Sequence, residues 1–129
     1  MKRILYFLTA MLFLTGCDDF FEPKIYNKTV SIVAPVASAR VPEGEVSFCW
    51  NVLDGADRYR ITIVSPSFAE AASLICDVTI VADSAAVSCL HIETLSGGEY
   101  EWSLSGLNSA YFTKETISGL TVYANDTEE

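Results

Sequence analysis

The chain has 129 residues, half of them hydrophobic, and its 17 acidic residues outnumber its eight basic ones to give a net charge of −9. This length suits one domain once any targeting segment is removed. The acidic balance disfavours nucleic acid as a partner, because binding nucleic acid depends on neutralising phosphates with a basic surface.

A targeting segment is predicted at the start of the chain. Lys2 and Arg3 give it a basic beginning, and an uncharged, mainly apolar stretch follows from Ile4 to Leu14. This stretch is too short to span a bilayer as a helix, which needs about 20 residues, but it suits the hydrophobic region of a signal peptide. We therefore predict a signal peptide over residues 1–16.

The apolar stretch ends in Leu14-Thr15-Gly16-Cys17, which resembles the bacterial lipobox, Leu-(Ala/Ser/Thr)-(Gly/Ala)-Cys. The resemblance implies cleavage before Cys17, a diacylglycerol on its thiol and an acyl chain on the new amino terminus. Such an anchor would hold the protein to the membrane, because each buried methylene contributes about 0.8 kcal/mol and two lipid signals already give stable attachment. The alternative is a cysteine present by chance in an ordinary signal peptide or in an uncleaved helix, and the short apolar stretch argues against the helix.

Two aspartates, Asp18 and Asp19, follow the cysteine directly. They resemble the export signal of Bacteroidetes lipoproteins, which implies lipid anchoring at the outer membrane with exposure on the cell surface. In proteobacterial sorting, an aspartate at this position instead retains a lipoprotein at the inner membrane. Cleavage would leave six basic against 17 acidic residues, a net charge of −11, which argues against a second, electrostatic attachment to anionic lipid headgroups.

The mature chain divides into three predicted parts: a lipidated tether over residues 17–28, a domain over residues 29–124 and a tail over residues 125–129. The tether shows no hydrophobic periodicity, whereas the domain consists of short runs in which apolar and polar residues alternate. This period of two predicts strands. The seven runs are Val30–Ile32, Val46–Val52, Tyr59–Ile63, Leu74–Val81, Ala86–Ile92, Tyr100–Leu107 and Ile117–Tyr123. Seven short strands separated by turn residues predict an all-β, antiparallel two-sheet sandwich.

Three motifs in these runs resemble a fibronectin type III domain. They are Val46-x-Phe48-x-Trp50 with Gly55-Ala56-x-x-Tyr59-x-Ile61, similar to strands B and C; Tyr100-x-Trp102-x-Leu104-x-Gly106-x-Asn108, similar to strand F; and Leu95–Tyr100, similar to the tyrosine corner. The resemblance is especially close to small domains of Bacteroidetes surface lipoproteins. It implies a seven-stranded sandwich of the fibronectin type III or immunoglobulin-like kind, a fold that hosts many functions and implies none.

The resemblance also bears on the cysteines, since a compartment beyond the inner membrane permits disulfides. Alternation puts Cys49 and Cys89 on the outer faces of the predicted strands B and E, which are neighbours in fibronectin type III topology. The resemblance therefore implies a Cys49–Cys89 disulfide, with Cys76 buried and unpaired on a core-facing stripe. The alternative is three reduced thiols that pack as small hydrophobes.

The sequence carries no motif for catalysis. Its single histidine, His91, is expected on the outer face of a strand as a solvated side chain. A nucleophile elbow, a metal-spaced set of His and Cys residues and a Gly-rich phosphate loop are all missing from the sequence. We predict a protein that is not an enzyme and has neither cofactor nor metal, a calcium site in the loop of Asp54 and Asp57 being the remaining alternative.

Three aromatic residues are candidate contact points for a partner. Phe68 lies in the loop after the third predicted strand, and Tyr111 and Phe112 lie in the loop before the last. Fibronectin type III topology implies that Tyr111 and Phe112 share the pole at which the tether enters, whereas Phe68 lies at the opposite pole. The alternative for the Tyr111-Phe112 pair is a contact that closes its own loop.

One modification signal is present in a predicted turn. Asp83-Ser84-Ala85 resembles the short pattern Asp-(Ser/Thr)-apolar at which Bacteroidetes O-glycosylate exported proteins, with Ser84 as the acceptor.

Taken together, these features predict a lipid-anchored, non-catalytic module of the cell envelope that displays its domain for binding or adhesion. The partner would be an envelope protein or a glycan. The alternative is a structural or assembly subunit that docks on another outer-membrane protein through an exposed edge or face of a sheet.

Overall fold

A computed structural model describes residues 22–82 and 85–124. Four predicted features lie outside these residues: the signal peptide, the lipidation site Cys17, the glycosylation site Ser84 and the tail. The described residues form eight strands and no helix. The strands are β1 (Ile32–Ala34), β2 (Ala39–Pro42), β3 (Gly44–Asn51), β4 (Arg58–Ser65), β5 (Ser73–Val81), β6 (Val87–Leu95), β7 (Gly98–Leu107) and β8 (Thr116–Tyr123).

The strands form two sheets, as predicted. The smaller sheet has the order β1-β3-β6 and the larger sheet the order β2-β8-β7-β4-β5. The all-β sandwich class is confirmed, with eight strands instead of seven. The additional strand, β2, pairs in parallel with β8 from Ala39↔Leu120 to Pro42↔Tyr123, while the other strand pairs are antiparallel. The parallel pairing arises because the chain leaves the smaller sheet after β1 and crosses to the edge of the larger one.

The core lies between the sheets and is filled by the inward side chains of β3, β4 and β7. Phe48, Trp50, Tyr59 and Trp102 are fully buried. The Phe48 and Trp102 rings pack edge to face at a centroid distance of 4.9 Å, and the Trp50 and Tyr59 rings lie 5.6 Å apart in a tilted arrangement. These contacts join the two sheets, and edge-to-face aromatic pairs of this kind stabilise a core beyond their buried area.

Two buried tyrosines fix the connections at the ends of the strands. The Tyr100 hydroxyl donates a hydrogen bond of 2.7 Å to the Ser96 carbonyl, which forms the predicted tyrosine corner between β6 and β7. The Tyr59 hydroxyl accepts a hydrogen bond of 2.7 Å from the Leu53 N–H. Burial raises the pKa of both phenols, so they stay protonated throughout the physiological range.

The domain begins earlier than the predicted boundary at Thr29. Ile25 is 0% exposed, and the Asn108 side-chain amide donates to the carbonyl oxygens of Pro23 and Gly55 at 2.8 and 3.0 Å. The Ser109 N–H and hydroxyl both contact the Glu22 carboxylate. Residues 22–28, predicted as tether, therefore pack on the domain at the loop between β7 and β8.

Gly55 makes room for this segment. It adopts φ +97°, which side-chain-bearing residues rarely do, and a Cβ atom built there would lie 2.9 Å from Ile25 Cγ2 and 2.9 Å from Pro23 Cβ. The turn between β3 and β4 therefore needs glycine on both conformational and steric grounds.

Candidate functional site

The outward face of the larger sheet carries a polar strip at its centre. Alternation along β4 turns Tyr59, Ile61 and Ile63 inward and leaves Arg60 and Thr62 on the outer side. The register of β4 with β7 sets Arg60 beside Ser105 and Thr62 beside Ser103. This register lays hydroxyl groups next to a guanidinium group on an open sheet face.

Phe68 closes one end of this strip. The loop between β4 and β5 folds back over the sheet, and the Phe68 N–H donates a hydrogen bond of 2.9 Å to Glu101 Oε1 on β7. The Phe68 ring, 37% exposed, lines a cavity of about 260 Å³ together with the strip and with Glu115. Although its loop belongs to the pole predicted for it, the side chain thus lies on the side of the domain.

Phe112 closes the other end. It forms an isolated bridge with Leu107 at the end of β7, and its ring is 68% exposed. It lines a second cavity, of about 230 Å³, with Thr113 and Leu107. Three residues line both cavities: Arg60, Ser105 and Glu115. The two cavities are therefore neighbours, and we call the surface from Phe68 to Phe112 that they form the side groove.

A charge pair fixes the centre of the side groove. Arg60 Nε and Nη2 donate to the two carboxylate oxygens of Asp77 at 3.0 and 2.9 Å, and the Thr62 hydroxyl adds a third bond to Asp77 of 3.2 Å. The hydrogen bond from Arg60 lowers the pKa of Asp77, and the same bond raises the pKa of Arg60. Both groups therefore stay ionised near neutral pH, and the bidentate geometry holds the guanidinium plane in place.

The sequence did not single out the polar residues of the side groove. Arg60, Asp77 and Ser105 belong to three strands that meet only when β4 pairs with both β5 and β7. The available signal was the outward alternation of Arg60 and Thr62 in the predicted strand C. That signal identifies an exposed face, but it does not say which neighbouring strands complete the face.

Tyr111, the third aromatic candidate, does not belong to the side groove. Its ring lies 5.7 Å from that of Tyr26 in a tilted arrangement, and the Tyr111 N–H donates to Asn108 Oδ1 at 2.8 Å. Tyr111 therefore stands at the pole where the N-terminal segment packs, whereas Phe112, its neighbour in sequence, points to the side groove.

Cys49 and Cys89 lie opposite each other on β3 and β6, and the structure holds them as a disulfide with a Cα–Cα distance of 4.1 Å. Cys76 is unpaired, but it is half-buried instead of fully buried. Its strand lies at the edge of the larger sheet, where the smaller sheet covers it only in part. Desolvation raises the pKa of the Cys76 thiol, and the charge of Asp77 raises it further.

His91 lies on the outer face of the smaller sheet, as its alternation predicted. Its Nδ1 atom is 3.0 Å from the Ser47 hydroxyl, and its Nε2 atom is 3.7 Å from a carboxylate oxygen of Glu45. The three side chains resemble a Ser-His-Glu set in type. They stand on an open face where water competes for each contact, however, so the arrangement supports strand pairing and does not provide an environment that activates a nucleophile.

A larger cleft, of about 560 Å³, is lined by residues 29–32, by residues 36–37 and by residues 115–118 at the start of β8. The buried Ser118 hydroxyl on its lining has no hydrogen-bond partner in the structure. We consider the side groove the better candidate because it has an exposed aromatic ring at each end, and aromatic side chains dominate contact surfaces. Within the described residues, no three His, Cys, Asp or Glu side chains are grouped to hold a metal ion.

Comparison with known proteins supports the anchor and the fold. A family model described as a prokaryotic membrane lipoprotein lipid attachment site matches residues 1–17, so the chain carries a lipid attachment site. The described residues contain no helix that is long and apolar enough to cross a bilayer. Curated protein sequences gave no match.

Solved structures share the sandwich. The fn3 domain of the human collagen alpha-1(XX) chain superposes with a TM-score of 0.55 at 16% identity, covering 83% of this chain and 92% of that domain. The crystal structure of an engineered protein gives a TM-score of 0.56 at 15% identity and covers 72% of this chain. This chain spans 19% of that longer protein. At these identities the likeness shows the fold, which is that of fibronectin type III domains.

Proposed function

We propose that the protein is a lipid-anchored, non-catalytic module of the cell envelope that binds a ligand through the side groove. The lipid attachment site gives the anchor, and the fibronectin type III-like sandwich gives a rigid scaffold for display. The observation that carries the proposal is the side groove itself. Phe68 and Phe112 are 44 residues apart in the sequence, and the fold brings them to the two ends of one polar strip. The proposed location is the outer face of the outer membrane, supported by Asp18 and Asp19 directly after the lipid attachment site.

The chemistry of the side groove suits a glycan chain. Two exposed aromatic rings offer apolar faces. Between them, hydroxyl groups and the Arg60 guanidinium, which Asp77 holds in place, offer hydrogen-bonding groups. The strip runs from the Val64↔Glu101 pair to the Arg58↔Leu107 pair. The six residue steps along β4 from Arg58 to Val64 span roughly 20 Å at about 3.3 Å per step, which is long enough for an extended ligand.

A glycan array followed by calorimetry on the best-binding glycan tests this function. Phe68→Ala and Phe112→Ala should each weaken binding by about tenfold, the equivalent of roughly 1.4 kcal/mol. Val33→Ala is the matched control, since Val33 is an exposed apolar residue of the other sheet. Binding by the wild type that neither phenylalanine variant weakens would exclude the side groove, and a wild type without any glycan ligand would exclude the ligand class.

A second candidate function, assembly with an envelope protein, is favoured by the free edge of β5. Within the described residues β5 pairs only with β4, and its sequence SLICDVTIV has neither proline nor lysine. Its exposed apolar residues are Leu74, Ile75, Val78 and Val81. Long apolar edge strands offer unpaired backbone groups to another chain, and Arg60 compensates the one charge on this strand, Asp77.

Cross-linking in intact outer membranes distinguishes the two candidates. If β5 accepts a strand from a partner, Val81→Lys should abolish the cross-linked product, because an inserted charge blocks edge pairing. Hydrogen exchange of β5 amides should also slow when the partner is bound. If the protein instead binds a glycan through the side groove, Val81→Lys should leave the affinity for the glycan unchanged and Phe68→Ala should reduce it.

A further inference from the structure

We propose that the pole at which the N-terminal segment packs is a membrane-contacting surface, so that the domain stands on the lipid headgroups instead of swinging freely above them. This surface, the tether-side pole, consists of Lys24, Tyr26, Lys28, Tyr111 and Lys114. The inference rests on the lipid anchor and is independent of the ligand of the side groove.

The length of chain between the anchor and the domain carries the first step. The lipid attachment site ends at Cys17, and Glu22 is already held by Ser109, with Ile25 fully buried three residues later. Five residue steps from Cys17 to Glu22 reach at most about 18 Å. The ten-residue strand β7 alone is roughly 34 Å long. The reach is therefore about half the length of the sandwich, which keeps the tether-side pole near the bilayer.

The second step is the composition of this pole. Tyr26 is 56% exposed and stacks beside Tyr111, and tyrosine rings are favoured at the membrane–water interface because one end is apolar and the other polar. Lys24, Lys28 and Lys114 are exposed and are the three lysines that remain after signal cleavage. The Lys114 N–H bonds to the Lys28 carbonyl at 3.0 Å, so the backbones of these two residues are adjacent.

Charge complementarity gives the third step. Three carboxylates lie beside this pole, against its three lysines and Arg58; they are Glu22, Asp54 and Asp57. The remaining described residues carry eight carboxylates against two arginines; the carboxylates are Glu43, Glu45, Glu70, Asp77, Glu93, Glu99, Glu101 and Glu115. The net charge of the mature chain predicted no electrostatic attraction to anionic lipid. Asp18 and Asp19 lie in the connection to the anchor and are outside this count. Among the described residues the negative excess lies elsewhere on the domain, so an anionic bilayer repels the rest of the domain more strongly than the tether-side pole.

Quenching of a fluorophore by lipids tests this orientation with the full lipidated protein. Ala110, next to the tether-side pole, and Ala71, in the loop between β4 and β5, are both exposed. Each is replaced by cysteine in a Cys76→Ala background and labelled with a fluorophore, and the protein is inserted into vesicles of phosphatidylethanolamine and phosphatidylglycerol with nitroxide headgroups. We expect the label at position 110 to be quenched about fivefold more than the label at position 71, because roughly 25 Å of β-strand separates them.

Variants identify which side chains set the orientation. Tyr26→Ala with Tyr111→Ala should lower the quenching ratio clearly, to a value still above one because the short connection to the anchor remains, whereas Phe68→Ala should leave it unchanged. Lys24→Gln, Lys28→Gln and Lys114→Gln together should lower the ratio in anionic vesicles and leave it unchanged in phosphatidylcholine. A cooperative thermal unfolding transition, measured for each variant, checks that the variant is folded. Equal quenching of the two labels in the wild type overturns the proposal, as does a tyrosine variant that keeps the wild-type ratio. The tyrosine variant should still bind ligand through the side groove, so the two proposals fail separately.

Discussion

The Arg60–Asp77 pair illustrates how a single contact organises the side groove without adding much stability. Both side chains are substantially exposed, at 56% and 34%, and surface ion pairs are worth about 0–1 kcal/mol. The bidentate geometry matters more for position, because it holds the guanidinium group against Asp77, beside the strip between Phe68 and Phe112. We therefore assign the pair a role in shaping the surface.

The first prediction concerns the pH dependence of this pair. Because the bond from Arg60 lowers the pKa of Asp77 below its usual value of 3.8, the pair stabilises the folded protein above that value. This contribution is lost as the pH falls through the lowered pKa. An NMR titration of the Asp77 carboxyl group measures it, and Arg60→Gln should return the pKa toward its ordinary value. An unchanged titration in Arg60→Gln would show that the pair does not form in solution.

A second residue-scale prediction concerns the tyrosine corner. Tyr100→Phe removes the hydrogen bond to the Ser96 carbonyl and leaves the ring in place, so it should lower the free energy of unfolding by about 1 kcal/mol. Urea denaturation measures the change. Tyr123→Phe is the matched control, since Tyr123 is exposed at the end of β8. Equal effects of the two substitutions would contradict the role of the corner.

Single residues were predictable where the local pattern decides their environment. The alternation Val46-x-Phe48-x-Trp50 predicted the inward face of β3, and all three residues are buried. Ile25 was missed, because its burial depends on Gly55 and on the Asn108 amide, residues that are distant in sequence. One isolated apolar residue in a polar segment gives no periodicity from which to infer burial.

Among the elements, β3 and β6 are joined both by their ladder and by the Cys49–Cys89 disulfide. The bridge closes a loop with a sequence separation of 40, and disulfides of this kind typically stabilise by about 2–4 kcal/mol, mainly by restricting the unfolded chain. We expect Cys49→Ala with Cys89→Ala to lower the free energy of unfolding by that amount. Urea denaturation under non-reducing conditions checks this prediction.

The control for the disulfide prediction is Cys76→Ala, which removes a half-buried thiol and no cross-link. Its effect should be smaller than that of the double variant, and reducing agent should destabilise Cys76→Ala but not the double variant. Non-reducing peptide mapping should recover the peptides of Cys49 and Cys89 as one species. A bridged peptide that contains Cys76 would contradict this pairing.

The elements that were missed share a physical cause. The four residues of β2, Ala39–Pro42, include a proline and are too few for a period of two to stand out, and the strand exists because it pairs with β8, which follows far along the chain. Likewise, Phe68 was assigned to a pole by topology, yet the bond from its N–H to Glu101 turns the loop onto the sheet. Long-range pairing decided both outcomes, and local pattern carries no information about it.

At the scale of the whole molecule, a short connection links the lipid attachment site to an N-terminal segment that packs on the sandwich. The lipid attachment site ends at Cys17, and from Glu22 the chain packs along the loop that carries Asn108 and Ser109. The predicted tether over residues 17–28 would have allowed a reach of roughly 40 Å from Cys17 to the start of the domain. Packing of residues 22–28 shortens that reach by more than half, so the fold itself limits how far the domain can move from the membrane.

The last prediction tests whether residues 22–28 belong to the folding unit. A protein that starts at Thr29 loses the buried Ile25 side chain and leaves the Asn108 amide without the Pro23 carbonyl, whereas a protein that starts at Glu22 keeps both contacts. Since removing a buried isoleucine side chain costs about 2–5 kcal/mol, the shorter protein should unfold at a clearly lower urea concentration. Ile25→Ala in the longer protein should reproduce most of the loss, and Tyr26→Ala, which truncates an exposed neighbour, should reproduce little of it. Equal stability of the two truncated proteins would show that the segment is only an attachment, and the limit on reach that underlies the membrane-contacting pole would then no longer hold.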